Sequence, residues 1–199
     1  MVEAVSPRSK SQLRAALLQN RRGVPKDVHD AEAEALCGWL KGLVTAGQTV
    51  CAYVPVGPEP GSIALLDTLL DLGAQVLLPV ARNDADGVPQ PLQWGKYRPG
   101  SLVRAEFGLR EPPPPWLAPD AVGAAEVILV PALAVDRAGA RLGRGAGFYD
   151  RTLRRASPSA RLVAVVRDDE LLDALPAEPH DVTMTHALTP RRGVVPLRR

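Results

Sequence analysis

Apolar and polar positions along the chain alternate in short blocks, and the blocks predict an ordered series of helices and strands. Ser6-Pro7 reads as a helix start, a capping hydroxyl followed by proline in the first turn. That helix is expected to run to about Arg22, with Leu13 and Leu17 marking its buried side. Asp27 can cap a second helix reaching about Ala46 and stopped by Gly47. Its apolar set is Leu36, Trp39, Leu40 and Leu43, so Trp39 reads as core. Val50 to Val54 is a short apolar strand, followed by the turn-rich V-G-P-E-P-G-S. Ser62 then caps a helix through Leu72 that Gly73 ends, and Val76 to Val80 is the next strand. Strand, loop and helix in this order predict a βα unit.

The second half repeats the theme. Arg82 to Pro91 is polar, Leu92-Gln93-Trp94 predicts a strand, and Pro112 to Pro115 must be extended. Val127 to Val130, halted by Pro131, reads as a buried strand. A helix is expected over Tyr149 to Arg155 and a strand over Arg161 to Val166. Asp168 to Leu175 predicts a short helix and Val182 to Met184 the last strand. Together these give an α/β fold: one domain over residues 1–199, three-layer α/β/α with a mostly parallel sheet.

Composition narrows the function classes. The 199 residues fit one domain, and the formal net charge of +2 gives no strong field for nucleic acid or a membrane surface. No apolar run approaches ~18 residues, so no transmembrane helix is expected. Met1 to Lys10 lacks an apolar core, so no signal peptide is expected and a cytoplasmic location is. Cys37 and Cys51 lack metal spacing and read as small buried residues. His29, His180 and His186 make neither a zinc pattern nor a Ser-His-Asp triad.

The chemistry concentrates after the Val127 strand. Gly139, Gly143, Gly145 and Gly147 alternate with Arg141 and Arg144 and lead to Phe148, Tyr149 and Asp150. Glycines let the backbone turn tightly, and N–H groups in such a loop at a helix start can hold an anion. Arginine adds charge suited to phosphate, and Asp150 is a hard oxygen ligand as Mg²⁺ on a phosphate needs. No Walker lysine is present, and Asp150 stands where the dinucleotide fingerprint requires a third glycine, so the sheet is Rossmann-like without that fingerprint. A second cation pair, Lys10 and Arg14, projects from one face of the first helix; alone it reads as a solvated face. Glu59 sits in the loop after a strand, at the ligand edge of an α/β sheet. Trp94 is equally a pocket wall or a core residue.

The run P-A-L-A-V-D-x-x-G-x-R-L-G-R-G-x-G-F-Y-D-R resembles the signature of the 5-formyltetrahydrofolate cyclo-ligase family, also called 5,10-methenyltetrahydrofolate synthetases. The likeness extends to Lys10-x-x-x-Arg14 near the N-terminus, to F-G-L-R-E-P at Phe107 to Pro112, and to His180-Asp181. It implies ATP- and Mg²⁺-dependent closure of 5-formyltetrahydrofolate to the methenyl compound by a monomeric enzyme. The implied ATP contacts are Lys10, Arg14, Arg141, Leu142, Gly143 and Arg144, continuing through Gly145, Ala146, Gly147, Phe148 and Tyr149. Arg144, Lys10 and Tyr149 are the implied catalytic groups. Glu59, Arg14, Val54, Phe148 and Trp94 are the implied folate contacts, and Asp150 with Asp181 the metal ligands. Two departures stand out. Ala146 occupies a position where the family often has Lys or Gly, and Gly61 replaces a second acid of the family's E-x-acid-T segment. A paralogue acting on another substrate, or a non-catalytic ATP- or folate-binding module, is the alternative reading.

Overall fold

The computed structural model describes residues 9–178 and 181–198. Ser6, Pro7 and His180 lie outside them. The first helix, α1 (Lys10–Arg22), instead begins at Ser9, whose hydroxyl accepts from the Gln12 N–H while the Gln12 side chain accepts from the Ser9 N–H. The second, α2 (Lys26–Trp39), follows Pro25 rather than Asp27, which lies in its first turn, and tightens into a 3₁₀ turn over Leu40–Gly42. Then come β1 (Thr49–Cys51), α3 (Ile63–Asp71), β2 (Gln75–Val80) and β3 (Gln93–Lys96). A small ribbon, β4 (Val103–Arg104) and β5 (Arg110–Glu111), is followed by β6 (Val127–Pro131), β7 (Ala134–Asp136) and β8 (Arg141–Leu142). The chain closes with α4 (Phe148–Leu153), β9 (Arg161–Val165), β10 (Leu171–Leu172), β11 (His186–Thr189) and β12 (Gly193–Pro196).

Seven strands make the main sheet in the order β12-β11-β9-β6-β1-β2-β3. The five central strands pair in parallel, and the two edges, β3 and β12, pair antiparallel. Val127 to Val130 is buried on both sides, which is why it reads as an unbroken apolar run. Leu36, Leu40, Leu65 and Leu69 seal one face of the sheet, and Val122, Leu153 and Trp94 belong to the core on the other. The expected α/β architecture is thus present. No helix of the described residues is long and apolar enough to cross a membrane.

Three local expectations differ. Trp39 is 42% exposed, because α2 ends there and the indole swings outward. Its N–H donates to the Pro190 carbonyl at 2.9 Å, so it caps the β11–β12 turn rather than filling the core. Residues 182–184 form no strand; the last two strands are β11 and β12, a hairpin that starts two residues later. The segment from Asp168 is only a 3₁₀ turn, Asp168–Glu170, before β10 pairs with β7. Trp94 is fully buried in edge strand β3, where its backbone bridges to Leu117 in both directions. Of its two readings it takes the core one, and it does not line the cavity described next.

Candidate active site

From β1 the chain moves to β2 on one side, then returns to place β6 on the other side of β1. Ligands of open α/β sheets bind at such a switch point, beyond the strands' carboxyl ends. A cavity of about 450 Å³ lies there. Its walls come from the ends of β1 (Tyr53, Val54, Glu59), β2 (Pro79, Ala81) and β6 (Pro131, Ala132). The glycine loop closes it, with Arg141 and residues 143–150 all on the lining. Val54, Glu59, Phe148, Tyr149 and Asp150 therefore meet in one cavity. Leu142 does not join them. It is 2% exposed and pairs with Ala134 across β7–β8, so its side chain is core.

The loop is held by its own arginines. Arg141 is buried with a Tyr149 ring 6.0 Å away and its Nη2 donates to Asp150. A Cβ at position 143 would lie 2.7 Å from the Arg141 guanidinium, so any other residue there would push that side chain aside. The buried Arg141 Nε and Tyr149 hydroxyl have no partner among the described residues. Burial, and then the charge of Glu59, pushes the Tyr149 phenol far above its ordinary pKa, so it stays a proton donor. Two unspent donors on a cationic, glycine-lined wall suit the oxygens of a phosphate or a formyl group.

Helix α1 reaches the same loop from outside the cavity. Arg14 Nε donates to the Gly143 carbonyl at 2.9 Å, and its guanidinium lies over Gly145. One turn earlier, Lys10 Nζ bonds Glu178 at 3.0 Å and Asp181 at 3.1 Å. Burial disfavours the Lys10 ammonium, but hydrogen bonds and charge from these two acids outweigh it and raise its pKa. Lys10 and Arg14 do not line the cavity, but they fix the acid of residue 181 and the glycine loop relative to each other. Each expected metal ligand thus has a cation beside it, Asp150 with Arg141 and Asp181 with Lys10.

Glu59 and the turn that carries it are held at four points. Its Oε2 accepts the Val56 N–H at 3.0 Å, the Tyr53 hydroxyl donates to the Pro60 carbonyl at 2.6 Å, and His29 Nε2 lies 3.0 Å from the Glu59 carbonyl. Its Oε1 meets Arg144 Nε at 3.1 Å. The loop glutamate and the glycine-loop arginine are therefore one ion pair, a coupling that sequence distance hides. Gly61 has φ +96°, a left-handed conformation that disfavours any residue with a side chain at that position.

Sequence reasoning missed Arg21 and Tyr53. Arg21 is 2% exposed, yet lines the cavity; it grips Glu170 through two bonds of 2.6 and 2.7 Å and the Ala132 carbonyl at 2.5 Å. The signal was present in part: Arg21 extends the Arg14 and Leu17 side of α1 to the next turn.

A model of the 5-formyltetrahydrofolate cyclo-ligase family matches residues 6–190. The chain belongs to this family. It is 77% identical to the 5-formyltetrahydrofolate cyclo-ligase of Mycolicibacterium smegmatis, over 98% of this chain and all of that one. The Escherichia coli 5-formyltetrahydrofolate cyclo-ligase is 30% identical over 75% of this chain and 81% of its own length. The NMR structure of Aquifex aeolicus 5,10-methenyltetrahydrofolate synthetase superposes with a TM-score of 0.76 at 26% identity, covering 96% of this chain and 93% of that one. The chain is thus an enzyme of the cyclo-ligase family, and its glycine loop lies within the matched region.

Proposed function

We propose that this enzyme converts 5-formyltetrahydrofolate to 5,10-methenyltetrahydrofolate, with ATP turned over to ADP and phosphate. The observation that carries the reading is the Glu59–Arg144 pair, which sets a fixed carboxylate and a phosphate-type loop against each other in one cavity. A formamide carbonyl is a weak electrophile and its oxygen a poor leaving group. Transfer of the γ-phosphoryl group to the formyl oxygen makes that oxygen a phosphate leaving group. The neighbouring folate nitrogen then attacks the formyl carbon, the ring closes and phosphate departs. In such transfers the protein mainly positions reactants and neutralises charge.

Each residue has a place in this scheme. The backbone of Gly143, Gly145, Ala146 and Gly147, with Arg141 and Arg144, faces the triphosphate, while Arg14 and Lys10 support the loop and Asp181 from outside the cavity. Tyr149 offers its unspent O–H to the transferring oxygen, Phe148 and Val54 give the pterin an apolar wall, and Glu59 accepts from its N–H groups. Mg²⁺ keeps several waters and takes one or two carboxylates together with phosphate oxygens. Asp150 and Asp181 are donors of that kind. Among the described residues no three His, Cys, Asp or Glu side chains cluster, so the nucleotide's phosphates would complete the ligand set. The ion would offset triphosphate charge.

Purified protein with ATP, Mg²⁺ and 5-formyltetrahydrofolate is expected to produce the ultraviolet absorbance of the methenyl product. ATP binding without that product would favour a paralogue or a binding module. Asp150→Asn and Asp181→Asn are each expected to raise the Mg²⁺ concentration for half-maximal rate severalfold, with an unchanged circular dichroism spectrum. Wild-type Mg²⁺ dependence in both variants would remove the two aspartates from the metal site.

Glu59→Gln offers a donor where an acceptor is wanted. It is expected to weaken 5-formyltetrahydrofolate about tenfold, ~1.4 kcal/mol, and ATP by less, since Arg144 loses a partner but keeps its charge. Calorimetric titration of each ligand separately checks this; an equal loss for both would make Glu59 an anchor for Arg144 alone.

A further inference from the structure

The β4–β5 ribbon places Arg104 directly opposite Arg110. Side chains opposite each other in an antiparallel pair share a face, and like charges there repel. Both arginines are exposed, and among the described residues neither has an ion-pair partner. The one hydrogen bond is weak, Arg110 Nη2 donating to the Leu102 carbonyl at 3.4 Å. Glu106, in the turn of the ribbon, forms no ion pair with either arginine among the described residues, and two other nearby acids are committed elsewhere. Glu111, on the opposite face of β5, forms two bonds of 2.6 and 2.8 Å with Arg82, and Asp67 accepts from the Tyr97 hydroxyl at 2.7 Å. Arg82 also lies 4.5 Å over the Trp116 ring. These contacts tie the ribbon to the end of β2, so the arginine pair is held in place.

The pair lines a groove formed with Leu102, Ala105, Gly108 and Leu109. Leu109 and Arg110 line both this groove and the main cavity. A long ligand seated in the cavity can therefore run on past Leu109 and reach two unneutralised guanidinium groups.

We propose that this groove is the subsite for the anionic tail of the substrate, with Arg104 and Arg110 binding the carboxylates of its glutamyl group. The inference rests on the functional reading above, which supplies a ligand with a flat head, a rigid aryl linker and two terminal carboxylates. Guanidinium groups bind carboxylates through paired charge-assisted hydrogen bonds, and an anion between them relieves their repulsion. Because the site is exposed, its contribution is screened by salt.

Calorimetric titration without ATP tests the assignment independently of turnover. The probes are 5-formyltetrahydrofolate and its glutamyl dimethyl ester, which keeps the shape and removes both charges. The wild type is expected to bind the free acid at least about tenfold more tightly than the ester, with the gap narrowing at high salt. In the Arg104→Gln, Arg110→Gln double variant the gap is expected to vanish while ester and ATP affinities stay at wild-type values. An acid–ester gap retained in the double variant overturns the assignment, as does equal binding of acid and ester by the wild type. A matching loss of ATP affinity would make the groove a nucleotide-phosphate site and also overturn it. Wild-type protein that binds neither folate form would instead overturn the functional reading, and this inference with it.

Discussion

Arg21→Ala is expected to destabilise the protein by about 3–5 kcal/mol, the cost of leaving a buried charge without its partner. For a chain of this size that corresponds to a fall in Tm of roughly 6–20 °C. The reason is local. Arg21 and Glu170 have side chains only 1% and 3% exposed, and their two-bond pair has little water to replace it. Removing the guanidinium also frees the Ala132 carbonyl on the cavity wall and loosens α1, which carries Lys10 and Arg14. Differential scanning calorimetry gives the size of the effect. The double variant Arg21→Met, Glu170→Leu separates pairing from packing. Apolar replacement of both charges is expected to recover most of the stability. If Arg21→Ala alone costs less than about 1 kcal/mol, the pair is not the anchor of α1.

Arg144→Ala is expected to lower kcat by about a hundredfold or more, with a smaller change in KM for ATP. Donors aimed at developing transition-state charge contribute effects of that order when removed. Arg144 is suited to this role: its side chain is 48% exposed, and Glu59 rather than the loop holds it in place. Lys10→Ala is expected to act differently, chiefly raising the KM for ATP, since Lys10 is bound to Glu178 and Asp181 outside the cavity. Steady-state kinetics of both variants decides the matter. Small and equal effects on kcat and KM would return Arg144 to an ordinary surface cation.

Several features were legible because they depend on near neighbours in sequence. The buried strand β6, the βα unit of β1 and α3, and the glycine loop all rest on spacing within a few residues, where periodicity and turn chemistry act. Thus the local pattern picked out Glu59, Val54 and residues 143–150, and all of them line the cavity. Trp94 stayed open between core and pocket wall for the opposite reason. β3 is an edge strand, and what covers it is Leu117, which no local pattern reveals. Trp39 failed because its exposure depends on Pro190 at the far end of the chain.

By itself the sequence determined the class of fold, the anion-type loop and the charges available to it. It could not determine which charge meets which. Lys10 meets Asp181 across 171 positions, Arg21 meets Glu170 across 149, and Arg144 meets Glu59 across the switch point of the sheet. A helix or strand is set by backbone bonding and by side chains a turn away. An ion pair in a cavity exists only where folding removes water from both partners and brings them within about 4 Å. That is a property of the assembled sheet, and it decides where the acids and bases of this site stand.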